Sequence, residues 1–306
     1  MIELICMGEP MLELNQQSGP ELMYRAGHGG DTSNAAIAAA RQGARVGYLT
    51  AVGRDSGGDS FLELWRAEGI DTTHVVQDPV SPTAVYLVHH GEAGHAFQYY
   101  RRGSAASAYG PTHVPDAAVR EAKILYASGI SQGISNSAAD AVFHAIDVAR
   151  GAGVRVAYDT NYRPSLWPAA RASAIIHAAI SQSSIALPSL EDASLLTGLS
   201  DPDAVVDFYL HLGPGLVVLK MGAAGTLLAT PSSRVRIAPF PCQAVDATGA
   251  GDTFCGAFLA RLIDGDDPHA AATYAACAAA LSTTGYGAVP PIPRAEAVRA
   301  ALQAAS

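Results

Sequence analysis

Positive charge is scarce in this chain. Its 306 residues carry 19 Lys and Arg against 28 Asp and Glu, a formal net charge of −9. Lysine occurs only at Lys123 and Lys220. No basic run is present, which argues against nucleic acid as a partner. Cysteine is sparse as well: Cys6, Cys242, Cys255 and Cys277 are scattered without a CxxC pair. The expectation is buried free thiols in a reducing cytoplasm, not a disulfide framework. The ten His residues form no zinc-type cluster. No apolar run reaches bilayer-spanning length, and Ile2 to Cys6 already reads as a strand where a signal peptide would stand. The phosphate-loop pattern G-x-x-x-x-G-K-S/T and the protein-kinase motif set are also missing.

What remains is a globular composition, 49% hydrophobic and 15% charged, long enough for one well-buried α/β domain over residues 1–306. Short apolar runs at 46–49, 124–126, 154–158, 185–187 and 216–219 lack strict alternation, as strands buried on both faces do. Helical stretches at 138–150 and 169–182 lie between them. This rhythm predicts a mostly parallel sheet covered by helices. Two segments break it. Residues 11–25 and 83–107 contain extended, partly alternating runs, the second with a polar turn around Gly91 and Gly94. They predict a small antiparallel sheet standing off the main domain, a discontinuous lid.

The chemistry-bearing string is Asp246-Ala247-Thr248-Gly249-Ala250-Gly251-Asp252, ahead of an apolar helical stretch. Glycines at a helix start let a ligand approach the backbone, and the free N–H groups there favour an anion. Asp252, in the first turn, could take the proton of an attacking hydroxyl, or could merely cap the helix. Gly29-Gly30-Asp31-Thr32-Ser33-Asn34 precedes a helix expected over 35–42. Capping explains one of the polar residues but not four, so Gly30, Asp31, Thr32, Ser33 and Asn34 are read as a polyol or sugar-acid site. Lys220 ends an apolar run and precedes Gly222 and Gly225, the position of a nucleotide loop in open α/β sheets. Its side chain is equally well read as a surface cation. Tyr99-Tyr100-Arg101 and Asp159-Thr160-Asn161-Tyr162-Arg163-Pro164 each carry an Arg suited to a carboxylate; surface ion pairs are the alternative. Glu191 could hold Mg²⁺ through water or could simply occupy a helix first turn.

Together these strings resemble the ribokinase-like (PfkB-type) carbohydrate kinases nearly end to end. The likeness rests on Met7-Gly8-Glu9-Pro10, residues 29–34 and residues 246–252. Tyr99-Tyr100-Arg101 and Asn161-Tyr162-Arg163-Pro164-Ser165-Leu166-Trp167 are similar to the 2-keto-3-deoxygluconate kinases within that family. The resemblance implies a three-layer α/β/α fold with a β-lid, ATP and Mg²⁺ as requirements, and K⁺ as a further ion near Asp246. It implies Asp252 as catalytic base and the backbone from Gly249 through Ala250 and Gly251 to Asp252 as the anion hole, with Gly30 to Asn34, Tyr99, Arg101 and Arg163 on the substrate. It puts Asn161, Lys220, Gly222 and Gly225 at the nucleotide, Glu191 at the metal, and homo-oligomers paired through the lid. The chain departs from the family at Pro188, where Asn is frequent, and at Gly285-Tyr286-Gly287-Ala288, where some relatives carry an acid. The same chemistry on a neutral sugar such as fructose or ribose, and a non-catalytic sugar sensor, are the rival readings.

Overall fold

The computed structural model describes residues 1–17, 21–91 and 94–305. In chain order, the first half contains β1 (Leu4–Met7), β2 (Met11–Gln16), β3 (Tyr24–Gly29), α1 (Asp31–Arg41), β4 (Val46–Leu49), β5 (Ala51–Gly53), α2 (Ser56–Ala67) and β6 (Val76–Asp78). It continues through β7 (Ala84–Gly91), β8 (Gly94–Tyr100), α3 (Ala105–Ala108), α4 (Asp116–Glu121), β9 (Ile124–Ser128), α5 (Gly129–Gly133) and α6 (Asn136–Gly151). The second half holds β10 (Arg155–Asp159), α7 (Ala169–Ser181), β11 (Ile185–Ala186), α8 (Leu190–Thr197), α9 (Pro202–Leu212), β12 (Leu216–Lys220), β13 (Thr226–Thr230) and β14 (Ser233–Ile237). Three helices finish it: α10 (Ala250–Asp264), α11 (Pro268–Ser282) and α12 (Ala295–Ala305).

The main sheet has the order β14-β13-β12-β11-β10-β9-β1-β4. Its strands from β12 to β4 pair in parallel, and β13 and β14 close one edge antiparallel. Alternate strand residues point to opposite faces, and each face has its own core. Leu4, Cys6, Tyr48, Tyr126 and Ala157 pack with α1, α2, α10 and α11. Ile5, Met7, Leu125, Val156 and Tyr158 pack with α6, α7 and α9. This is the three-layer α/β/α arrangement, and it explains why the strands read as unbroken apolar runs. The antiparallel edge pair was not read from the sequence, because β14 is mostly solvent-facing and its Arg234 and Arg236 hide the strand pattern.

The second sheet has the order β3-β2-β7-β8. It is mixed, not antiparallel throughout: β2 and β7 run parallel, and each has its own antiparallel partner. Two hairpins from distant parts of the chain enter from the same side, so their inner strands must point the same way. Of the expected lid segments, residues 18–20 and the turn residues 92 and 93 lie outside the described residues. Residues 105–108 form α3, and Ala105 packs into the main core instead of the small sheet. Cys6, Cys255 and Cys277 are buried free thiols as expected, but Cys242 is exposed, because residues 241–245 run over the surface. No helix among the described residues is long and apolar enough to cross a membrane.

Candidate active site

The helix expected over 35–42 begins earlier, at Asp31. Gly30 is its N-cap, with φ 112°, and no side chain caps it. A Cβ at Gly30 would lie 2.4 Å from the Glu9 carbonyl oxygen, so this position needs glycine twice over. The four polar residues therefore form the first helical turn and are all buried. Two of them serve the core: Thr32 Oγ1 shares a 2.8 Å hydrogen bond with Tyr48 Oη, and Ser33 Oγ accepts one of 2.9 Å from Trp65 Nε1. Each of these two hydroxyls thus has a partner in the core, beside the role expected of it at a ligand. Asp31 and Asn34 remain, and each has a buried oxygen (Oδ1) without a hydrogen-bond partner among the described residues.

Asn34 leads directly to the phosphate string. Its Nδ2 donates to Asp252 Oδ2 at 2.9 Å. The two helices that carry them cross closely because Gly256 has no side chain; a Cβ there would sit 2.1 Å from the Ala35 carbonyl oxygen. Helix α10 begins at Ala250, with Gly249 as a left-handed N-cap at φ 74°. Asp252 is thus in the first turn, as expected, and it is half-buried. Ala250 N–H is taken by the Ala247 carbonyl, and Thr253 N–H by that of Gly249. The described residues give Gly251 and Asp252 N–H no acceptor. Of residues 249–252, expected as an anion hole, Gly251 and Asp252 are therefore the ones whose N–H groups are left open to a ligand. Gly251 is exposed, and a Cβ there would meet only Lys220 Nζ, at 3.9 Å. The protein's own packing does not demand that glycine; a close-approaching ligand would.

Three carboxylates crowd the floor at the carboxyl ends of β9, β10 and β12. Asp31 Oδ2 accepts from Ser128 Oγ at 2.5 Å and from Asn161 Nδ2 at 2.8 Å. Asp159 Oδ2 accepts from Lys220 Nζ at 2.6 Å and from the Cys255 thiol at 3.3 Å. Burial pushes the Asp252 carboxyl up to about 7; Asp31 and Asp159 add to this, while Asn34 and Lys220 oppose it. Asp31 is pushed up too, first by burial and then by Asp159, against the pull of Ser128 and Arg163. Lys220 is not the surface cation of the alternative reading. Burial pulls its ammonium down, but Asp159 and Cys255 outweigh that, and it stays charged.

The small sheet faces this floor. Tyr86 Oη donates to the Glu13 carboxylate, and Tyr86 lies against Gly29, where a Cβ would be 2.6 Å from the phenol oxygen. Burial, then Glu13, Tyr99 and Asp252, raise the Tyr86 phenol, which places it within electrostatic reach of Asp252. Arg101 stacks over the Tyr99 ring, 5.6 Å from its centroid. Its guanidinium is paired with the fully buried Glu9, which also accepts from Ser104 Oγ at 2.9 Å. The Arg101 Nε is buried without a partner among the described residues. Arg163 is 48% exposed and lies 3.9 Å from Asp192.

The remaining candidates are dispersed. Asn161, expected at the nucleotide, donates to Asp31 and has a strained left-handed conformation with φ 25°. Gly222 and Gly225 form the β12–β13 turn; Gly225 needs no ligand to explain it, since a Cβ would strike the Ile237 carbonyl at 2.2 Å. Glu191 is exposed in the first turn of α8. Asp246 clamps its own loop, accepting from Thr248 N, Thr248 Oγ1 and Gly287 N. Among the described residues no three His, Cys, Asp or Glu side chains gather into a metal site. Sequence reasoning missed Glu9, Ser128, Asp159 and Tyr86. Glu9 and Asp159 lie within the motif strings Met7-Gly8-Glu9-Pro10 and 159–164, whereas Ser128 and Tyr86 carry no local signal.

In an open, mostly parallel α/β sheet, strand ends that gather Asp159 and Lys220 beside the N-terminus of α10 are where phosphorylated ligands bind. The comparisons sharpen this. The pfkB family carbohydrate kinase profile matches residues 1–295, and the chain belongs to that family. It is 34% identical over 290 residues to a 2-dehydro-3-deoxygluconokinase from Thermoproteus tenax, covering 92% of this chain and 88% of the relative. A PfkB protein from Polaromonas sp. JS666 superposes with a TM-score of 0.89 at 31% identity, over 98% of this chain and 100% of that one. Fructokinase from Vibrio cholerae O395, in a form binding fructose, ADP and calcium ion, superposes with a TM-score of 0.88 at 28% identity, covering 99% of each chain. The protein is therefore a carbohydrate kinase, transferring a phosphoryl group to an alcohol.

Proposed function

We propose that the chain phosphorylates the terminal hydroxyl of 2-keto-3-deoxygluconate to 2-keto-3-deoxy-6-phosphogluconate, with ATP as donor and Asp252 as general base. The observation that carries this is the pairing of the Asp252 carboxyl with the two bare N–H groups of its own helix turn. In this reading Asn34 aims the Asp252 carboxylate at the sugar hydroxyl, which loses its proton to Asp252 as its oxygen attacks the γ-phosphorus. Gly251 and Asp252 N–H neutralise the phosphoryl oxygens, and ADP leaves with the β–γ bridging oxygen. Most of the rate would come from positioning and charge stabilisation. Magnesium would screen the phosphates, with Glu191 as its protein contact through water. Asp246 and the 285–288 loop are the proposed place for a K⁺ ion.

Asp31 Oδ1 and Asn34 Oδ1, buried and unpaired among the described residues, are suited to sugar hydroxyl donors. Arg101 Nε, Tyr99 and the half-exposed Arg163 are suited to the sugar carboxylate. The name of the Thermoproteus tenax relative supports this substrate. The small sheet is proposed as a lid, with a lid-paired homo-oligomer in the cytoplasm; exposed Phe97 and Tyr100 on its edge strand support the pairing. A neutral sugar such as fructose is the second reading, favoured by the fact that Glu9 already neutralises Arg101 and by the fructokinase likeness. A coupled ADP-release assay decides: kcat/KM should favour the keto acid over fructose by at least about tenfold, the worth of one good charged contact. Equal values would reject the sugar-acid assignment while leaving the kinase intact.

A further inference from the structure

Lys220 presents a physical puzzle. It is one of two lysines in the chain, it ends a central strand, and its side chain is only 13% exposed. Among the described residues its ion pair is with Asp159, which is 3% exposed. Such pairs are poor sources of stability, because desolvation offsets most of the attraction. The ammonium also sits beneath the first turn of α10, where the helix dipole is positive, so its location is adverse to the folded chain on its own. An apolar residue would fill this place at less cost. The cation is explained by what stands around it.

Around the Asp252 carboxyl stand Asp31 and Asn34 from α1, Asp159 from the end of β10, Lys220 from the end of β12, and Tyr86 from the small sheet. Tyr126 below and Cys255 on the same helix complete the shell. Tyr86, Tyr126 and Cys255 are all pushed up by burial and stay neutral. Arg163 acts on Asp31 and on Asp192. Among the described residues, Lys220 is thus the cation of the floor that is hydrogen-bonded into the carboxylate cluster.

We infer that Lys220 is a positioning residue for phosphoryl transfer: paired with Asp159 beneath the first turn of α10, its ammonium offsets the carboxylate cluster and so favours the ionised, proton-accepting form of Asp252. This rests on the reading of Asp252 as base. Lys220 touches Asp159 and the Cys255 thiol and acts on the reaction through them. The pair is matched: losing the cation leaves excess negative charge around Asp252, and losing Asp159 leaves excess positive charge.

The test is the acid limb of kcat/KM against pH for the full-length enzyme, with circular dichroism as a check on folding. Lys220→Met should move the limb up by roughly one unit or more, the usual effect of one nearby charge, with activity partly recovered at high pH. Asp159→Asn should move it down, and Lys220→Arg should return it close to the wild-type position. Lys220→Gln, which removes the charge but keeps a donor for Asp159, decides the matter if Lys220→Met does not fold. A limb left at the wild-type position by a folded variant that lacks the Lys220 charge overturns the role of Lys220. A wild-type profile with no acid limb, or an active Asp252→Asn enzyme, instead removes Asp252 as base, so the two failures are separable.

Discussion

Replacing Asp252 by Asn should make the protein more stable and nearly inactive at once, and the gain should depend on pH. The carboxyl is held near 7 in the folded chain against an ordinary value of 3.8. A group raised on folding binds its proton more tightly in the native state. Between pH 4 and 7 the unfolded chain has released that proton and the folded chain has not. Each pH unit in that window therefore costs the folded state about 1.4 kcal/mol, and above it the loss levels off near 4 kcal/mol. The amide of the Asp252→Asn variant has no proton to release, and its oxygen can still accept from Asn34. The stability difference between variant and wild type should accordingly widen by roughly 2 to 3 kcal/mol from pH 5 to pH 8. Urea unfolding of both proteins at the two pH values measures it. Parallel stability curves would refute the reasoning, since they would mean that Asp252 is not held against ionisation. In the same preparation kcat should fall by roughly 10²–10⁴ with sugar affinity little changed; near-normal turnover would remove Asp252 as the base.

Gly256→Ala should push α1 and α10 apart, costing about 1–3 kcal/mol by overpacking and loosening the Asn34–Asp252 contact; thermal melts and kcat should fall together. Glu9→Ala should strand the Arg101 guanidinium and destabilise the chain by about 3–5 kcal/mol, with a raised KM for the keto acid; an unchanged melting temperature would show the pair to be dispensable. Gly30→Ala forces a side chain into a left-handed conformation against the Glu9 carbonyl, a strain of about 1–3 kcal/mol that should appear in chemical unfolding and in a weakened sugar KM.

Local sequence determined the strands and most of the helices, because burial on both sheet faces leaves its mark as unbroken apolar runs such as Ile124 to Tyr126. It also determined where α10 presents free N–H groups, since Gly249 at a left-handed N-cap is a local requirement. Partnerships across the fold were decided by tertiary structure alone. That Thr32 and Ser33 serve Tyr48 and Trp65 while Asn34 serves Asp252, 218 residues away in the chain, depends on how α1 crosses α10 at Gly256. The Glu9–Arg101 and Asp159–Lys220 pairs are of the same kind. A residue type advertises its backbone preference to its neighbours in sequence, but its charge acts on whatever the fold brings within a few ångströms.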